Sequence, residues 1–164
     1  MTDKTSRRAV LASAGTGAAL LAAFAGKAEA ADMTAEEKAN VAVVNGFLKA
    51  GEAKDDPGSM KFLADDCAYR FTETAPIDKG HEAIIKRLAG FSSEATKVEL
   101  KVLKTYAAGP IVINHRIDHF TSATKPLLFE GVGVFFVKNG KIQEWTDYTI
   151  RAVLANEWPK AAKT

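Results

Sequence analysis

An α+β fold is predicted for this chain: a curved, mostly antiparallel sheet wrapped around N-terminal helices to form a conical pocket. Three observations predict it. Helical spacing of apolar residues dominates residues 35–64 and 81–89, alternation of period two takes over from Lys97, and an Asn-Gly pair joins two long apolar runs near the end. Helices followed by a run of strands place the helices on one face of a sheet. Curvature of that sheet leaves apolar space beneath it, a natural small-molecule pocket.

The elements follow in order. T34-A-E-E37 is a capping box, in which the Thr34 hydroxyl and the Glu37 carboxylate reciprocally satisfy backbone amides. Val41, Val44, Phe47 and Leu48 then recur at helical spacing, giving a helix over about 35–50 that ends at Gly51 and the D55-D-P-G58 turn. A short helix is expected at about 58–64, and C67-A-Y-R-F-T-E73 reads as a strand. After the turn A75-P-I-D-K-G80 comes a second helix, H81-E-A-I-I-K-R-L-A89. K97-V-E-L-K-V102 alternates apolar and charged residues as a half-exposed antiparallel strand does. Gly109-Pro110 breaks it, and strands at about 111–121 and 127–137 follow. K138-N-G-K141 is the strongest local signal, a two-residue hairpin turn leading into I142–I150. A last short helix is expected over A152–W158.

Residues 1–30 stand apart from this domain. S6-R-R-A-V-L11 carries paired arginines, the weakly apolar run Ala9–Gly26 follows, and A28-E-A30 has the A-x-A form of a cleavage site. This is the pattern of a secretory signal of the twin-arginine type, cut after Ala30, and it implies a periplasmic or secreted protein. Its interior of alanine and glycine is too weakly apolar for a spanning helix, so no membrane association is expected once it is removed. The mature domain is then 31–164. Removal takes away Lys4, Arg7, Arg8 and Lys27 against Asp3 and Glu29, leaving 18 basic and 18 acidic residues and no formal net charge. No basic run remains to suggest nucleic acid. The single cysteine, Cys67, cannot form an internal disulfide and reads as a small buried apolar residue. His81, His115 and His119 lack metal-ligand spacing, since His115 and His119 would stand about 13 Å apart along a strand. Neither a metal nor a cofactor is expected.

The chemistry is concentrated in two strands. In N114-H-R-I-D-H-F120, Arg116 and Asp118 share a face with Val112, Asn114 and Phe120. In E144-W-T-D-Y148, Asp147 shares a face with Trp145 and Thr149. Two carboxylates around one guanidinium are a poor stability device when buried. They are a good chemical one, because like charges push two proton affinities apart and leave one group a base and the other an acid. Both faces of 111–120 carry apolar residues, so spacing alone also admits a solvent-facing surface pair.

These strands resemble the two signature strands of the limonene epoxide hydrolase family. The marks are R116-I-D118, then G133-V-F135, N139-G-K141 and W145-T-D-Y148, with A64-D-D-C-A-Y69 and G80-H-E-A-I84 upstream. The resemblance spans about residues 35–155 and implies a cystatin-like α+β barrel. It implies that Asp147 is the base activating water, Asp118 the acid protonating an epoxide oxygen, and Arg116 the bridge between them, with Tyr69 helping to hold the water. No cofactor is needed for such general acid–base chemistry. The resemblance further implies a homodimer formed through the exposed sheet face. One position departs from the family: Phe71 stands where it has a water-fixing asparagine. A phenyl ring neither donates nor accepts that hydrogen bond. Phe71 favours two other readings of the same fold, a non-catalytic binder of a small hydrophobic ligand and an isomerase of the ketosteroid-isomerase or polyketide-cyclase kind.

Overall fold

A computed structural model describes residues 32–154, with side chains described as far as Ile150. The element order is α1 (Ala35–Glu52), α2 (Asp56–Met60), β1 (Leu63–Arg70), β2 (Ile77–Lys79), α3 (His81–Ser92), β3 (Lys97–Ala108), β4 (Ile111–Thr121), β5 (Leu127–Lys138) and β6 (Lys141–Leu154). The six strands form one sheet in the order β2-β1-β6-β5-β4-β3, all antiparallel except the parallel pair β1–β6. The α+β class is thus observed, with one parallel contact that the local pattern did not reveal.

Local chemistry explains the helices. Thr34 Oγ1 accepts from the Glu37 amide at 3.2 Å while Glu37 Oε2 accepts from the Thr34 amide at 2.7 Å, completing the capping box. Val44, Phe47 and Leu48 then turn one side of α1 into the core. The second helix begins earlier than 58–64. Asp55 is its cap, accepting from the Gly58 amide at 2.9 Å, and Pro57 sits in its first turn, where a missing N–H costs nothing. Phe62 and Leu63, expected in that helix, leave it: the Phe62 carbonyl accepts from the Ile142 amide at 2.8 Å and Leu63 pairs with Ile142.

The first strand likewise shifts from 67–73 to Leu63–Arg70. Arg70 Nη1 donates to the Ala75 carbonyl at 2.7 Å, which folds residues 71–75 into a turn. The three residues of β2 lie in the segment read as a turn. The third strand runs on to Ala108, past an irregularity between Val102 and Lys104 that masks its alternation. At the hairpin, Asn139 (φ 54°) and Gly140 (φ 70°) both take the left-handed conformation that a type I′ turn requires. Residues 152–154, expected in a helix, continue β6 against Leu127–Phe129. The remainder of that expected helix and the signal segment 1–30 lie outside the described residues.

The core lies between α1, α3 and the inner sheet face, around Phe47, Leu63, Ile84, Val112, Phe135 and Ile142. Cys67 is fully buried among them, as expected, and burial pushes its thiol up to about 12. Among the described residues no helix is long and apolar enough to cross a membrane.

Candidate active site

The strand parity that puts Val112 and Asn114 in the core also turns Arg116 inward, and it is only 4% exposed. The solvent-facing alternative is therefore excluded for this residue. Arg116 Nε donates to both oxygens of Asp118 on its own strand, at 2.9 and 3.1 Å. Its Nη2 donates to Asp147 Oδ1 at 2.7 Å, and its Nη1 to Asn114 Oδ1 at 3.0 Å. One buried guanidinium thus holds both carboxylates and is itself fixed from behind by an amide.

Asp147 lies two strands away on β6, with β5 between, so the arginine must cross a strand to reach it. The register shows how: Asn114 faces Gly133, and Gly133 faces Asp147. A Cβ at position 133 would overlap Arg116 Nη1 and come within 3.0 Å of Asn114 Oδ1. The glycine is the lane through which the side chain passes.

Asp147 is further held by Trp145 Nε1, which donates to Oδ1 at 2.9 Å, and by the Tyr69 hydroxyl, which donates to Oδ2 at 3.2 Å. Tyr69 and Trp145 are paired across the parallel β1–β6 contact, and their rings stack at 3.8 Å. Trp145 in turn stacks on Phe135 at 5.6 Å. Asp147 thus accepts from three donors, on Arg116, Trp145 and Tyr69.

Burial raises Asp118, Arg116 opposes the rise, and Asp147 adds to it, leaving its carboxyl at about 6. Burial pulls the Arg116 guanidinium down, but Asp147 and Asp118 outweigh it and hold it above its ordinary value. The Tyr69 phenol is pushed well above its usual range by burial and by the Asp147 charge, which keeps it a proton donor. All four side chains line a cavity of about 880 Å³, open mouth included, walled by Phe71, Leu88, Phe91, Phe120 and Phe129 among others.

The four residues singled out from sequence, Tyr69, Arg116, Asp118 and Asp147, are thus brought together in one cavity. Phe71 lines it too, its ring 4.6 Å from that of Phe91 and 6.1 Å from that of Phe129. Three contributors had no role in the sequence reading: Trp145, Asn114 and Gly133. The first two were legible as neighbours at i±2 on the charged faces. The role of Gly133 needed the strand register. Among the described residues no three His, Cys, Asp or Glu side chains converge to hold a metal ion.

Comparison with known proteins was then decisive for family. Residues 38–160 match the limonene-1,2-epoxide hydrolase catalytic domain. The chain belongs to the limonene-1,2-epoxide hydrolase family. Among solved structures it is similar to an LEH-like epoxide hydrolase of M. tuberculosis, at 25% identity over 70% of this chain and 84% of that one, with a TM-score of 0.62. Bal32a from a soil-derived mobile gene cassette has the same fold, at 18% identity over 70% of this chain and 92% of its own, TM-score 0.62. So has an NTF2-like protein of unknown function from Cytophaga hutchinsonii, at 16% identity over 67% and 88%, TM-score 0.55. Among curated proteins none matches. Within the limonene-1,2-epoxide hydrolase family, then, this chain combines a complete Arg-Asp-Asp cluster with a phenyl wall at position 71.

Proposed function

We propose that the protein hydrolyses a small apolar epoxide to a diol in one step, with no covalent intermediate and no cofactor. Asp147 takes a proton from water as the water oxygen bonds to one epoxide carbon. The carbon–oxygen bond of the ring breaks, and Asp118 gives its proton to the leaving oxygen. Arg116 bridges the two carboxylates throughout, and the Tyr69 oxygen accepts the second hydrogen of the water. The single observation that carries this reading is the buried Arg116 held between two carboxylates, with that of Asp118 raised to about 6. A carboxyl in that range still holds a proton near neutral pH and releases it readily. The phenyl rings of Phe71, Phe91, Phe120 and Phe129 supply the apolar wall for the substrate body.

Diol formation from terpene and aryl epoxides tests it, with Asp147→Asn as the comparison. Removing the base should lower turnover by about 10²–10⁴-fold while ligand is still held. If no epoxide turns over and both proteins still bind ligand, the protein is a hydrophobic-ligand binder. Phe71, which cannot fix a water molecule, favours that second reading.

The outer sheet face exposes Tyr106, Tyr148 and Ile150, and there we place a second copy of the chain. The paired arginines Arg7 and Arg8 support export to the periplasm, followed by cleavage after Ala30. A mature N-terminus at Ala31, lost when both arginines are replaced by lysine, is the expected result. Unprocessed wild-type protein in the cytoplasm would oppose export.

A further inference from the structure

Two polar side chains of α2, Asp56 and Ser59, stand in the wall of the same cavity. Ser59 is 2% exposed and lines the cavity, yet its Oγ has no hydrogen-bond partner. Its backbone is fully engaged: the amide donates to the Asp55 carbonyl at 2.8 Å and the carbonyl accepts from Phe62 at 3.0 Å. Only the hydroxyl is left over. Ser92, the other serine of the cavity wall, shows the usual outcome by donating to the Leu88 carbonyl at 3.2 Å. A buried hydroxyl without a partner is costly, and an alanine would fill the same space without that cost. Asn114 Nδ2 is likewise unpartnered, but Asn114 does not line the cavity.

Asp56 stands three residues before Ser59, so the two share one helix face, and Asp56 also lines the cavity. The pair is rigidly placed, because the Asp55 carboxylate accepts from the Gly58 amide and leaves no room for a side chain at Gly58. A carboxylate only accepts, whereas a serine hydroxyl both donates and accepts. The complement is a ligand group that can give one hydrogen bond and take another. We infer that Ser59 and Asp56 form a subsite for an alcohol group, so that the substrate is an apolar epoxide bearing a hydroxyl away from the ring. The ligand hydroxyl donates to Asp56 and accepts from Ser59 Oγ.

The epoxide part rests on the proposed hydrolysis; the alcohol subsite does not. Binding is therefore measured without turnover, by titrating 4-ethylbenzyl alcohol and ethylbenzene against the purified protein and following tryptophan fluorescence. Ser59→Ala should weaken the alcohol by about two- to tenfold, the worth of one ordinary hydrogen bond, and leave ethylbenzene unchanged or tighter. Asp56→Asn, more exposed and less able to disturb packing, should weaken the alcohol in the same direction. Turnover of styrene oxide against its 4-hydroxymethyl derivative then reads the epoxide part. Discrimination in binding without turnover of either epoxide sinks the hydrolase reading and keeps the subsite. Equal effects of both substitutions on alcohol and hydrocarbon, or none on either, overturn the subsite and leave the Ser59 hydroxyl to an ordered water.

Discussion

At the scale of single residues, one buried guanidinium satisfies two carboxylates that lie on different strands. In the proposed reaction Asp118 carries the pH dependence. Its carboxyl moves from 3.8 to about 6, with burial the largest cause. In the proposed reaction the protonated form is the acid, so kcat/KM should hold below pH 6 and fall about tenfold per unit above it. A profile flat from pH 5 to 8 would remove Asp118 from the acid role. Stability follows the same proton. A carboxyl raised on folding contributes fully below its unfolded value and loses that contribution as pH rises through 6, about 3 kcal/mol for a shift of this size. Thermal unfolding of Asp118→Asn should therefore depend less on pH between 4 and 7 than that of the wild type. Gly133 carries the geometry. Gly133→Ala would push its methyl into Arg116 Nη1 and to 2.7 Å from Phe135 Cε2. Displacing a bridging group by about an ångström can cost about 10²-fold in rate, and that loss in kcat/KM is expected. Gly131→Ala, which presses on the Tyr148 carbonyl instead, should cost stability with less effect on rate. Full activity in Gly133→Ala would show that the arginine needs no lane.

Elements were legible where their causes are local. The capping box of α1 and the Asn139-Gly140 turn each lie within four residues, and both stand where the sequence put them. The second helix and the first strand were displaced because their ends are decided at a distance. Leu63 is a strand residue through its pairing with Ile142, and no pattern around Leu63 announces that partner. The same holds for the site. Parity alone put Arg116 and Asp118 on one face of their strand without deciding which way that face turned, and the crossing at Gly133 appears only when β5 is known to lie between them and Asp147. One long-range tie of α1 also escaped sequence reasoning. Asn40 Nδ2 donates to the Gly109 carbonyl at 3.0 Å, and Glu37 Oε1 accepts from the Gly109 amide at 3.0 Å, fastening the helix to the β3–β4 turn. Asn40→Ala removes the buried half of that tie. A loss of about 1–2 kcal/mol is expected in denaturant unfolding, with kcat/KM unchanged because the cavity wall at Phe47 and Leu48 keeps its packing. A fall in rate equal to that of a site residue would mean that the tie positions the pocket.

At the scale of the whole molecule, the sheet has two faces and the helices cover one. Arg116 and Asp147 lie on the covered face, which excludes water and makes their charges chemically useful. The other face is unequal along its length. Ion pairs His115–Glu130 and Lys97–Glu99 occupy one part of it. Tyr106, Tyr148 and Ile150, at 53%, 48% and 61% exposure, add large apolar surface beside them. Soluble chains seldom leave such a patch open, and a two-fold axis through a sheet face pairs it with itself. The proposed second copy gives a direct prediction: sedimentation of the purified protein at micromolar concentration should report a dimer. Tyr106→Lys sits on β3, away from Asp147, and places a charge in the joined face of each copy. It should shift the protein to monomer and make thermal unfolding independent of protein concentration, while leaving the inner face and its chemistry in place. A wild type that sediments as a monomer would refute the pairing. The exposed tyrosines would then be no more than the surface of a sheet built to be closed on one side.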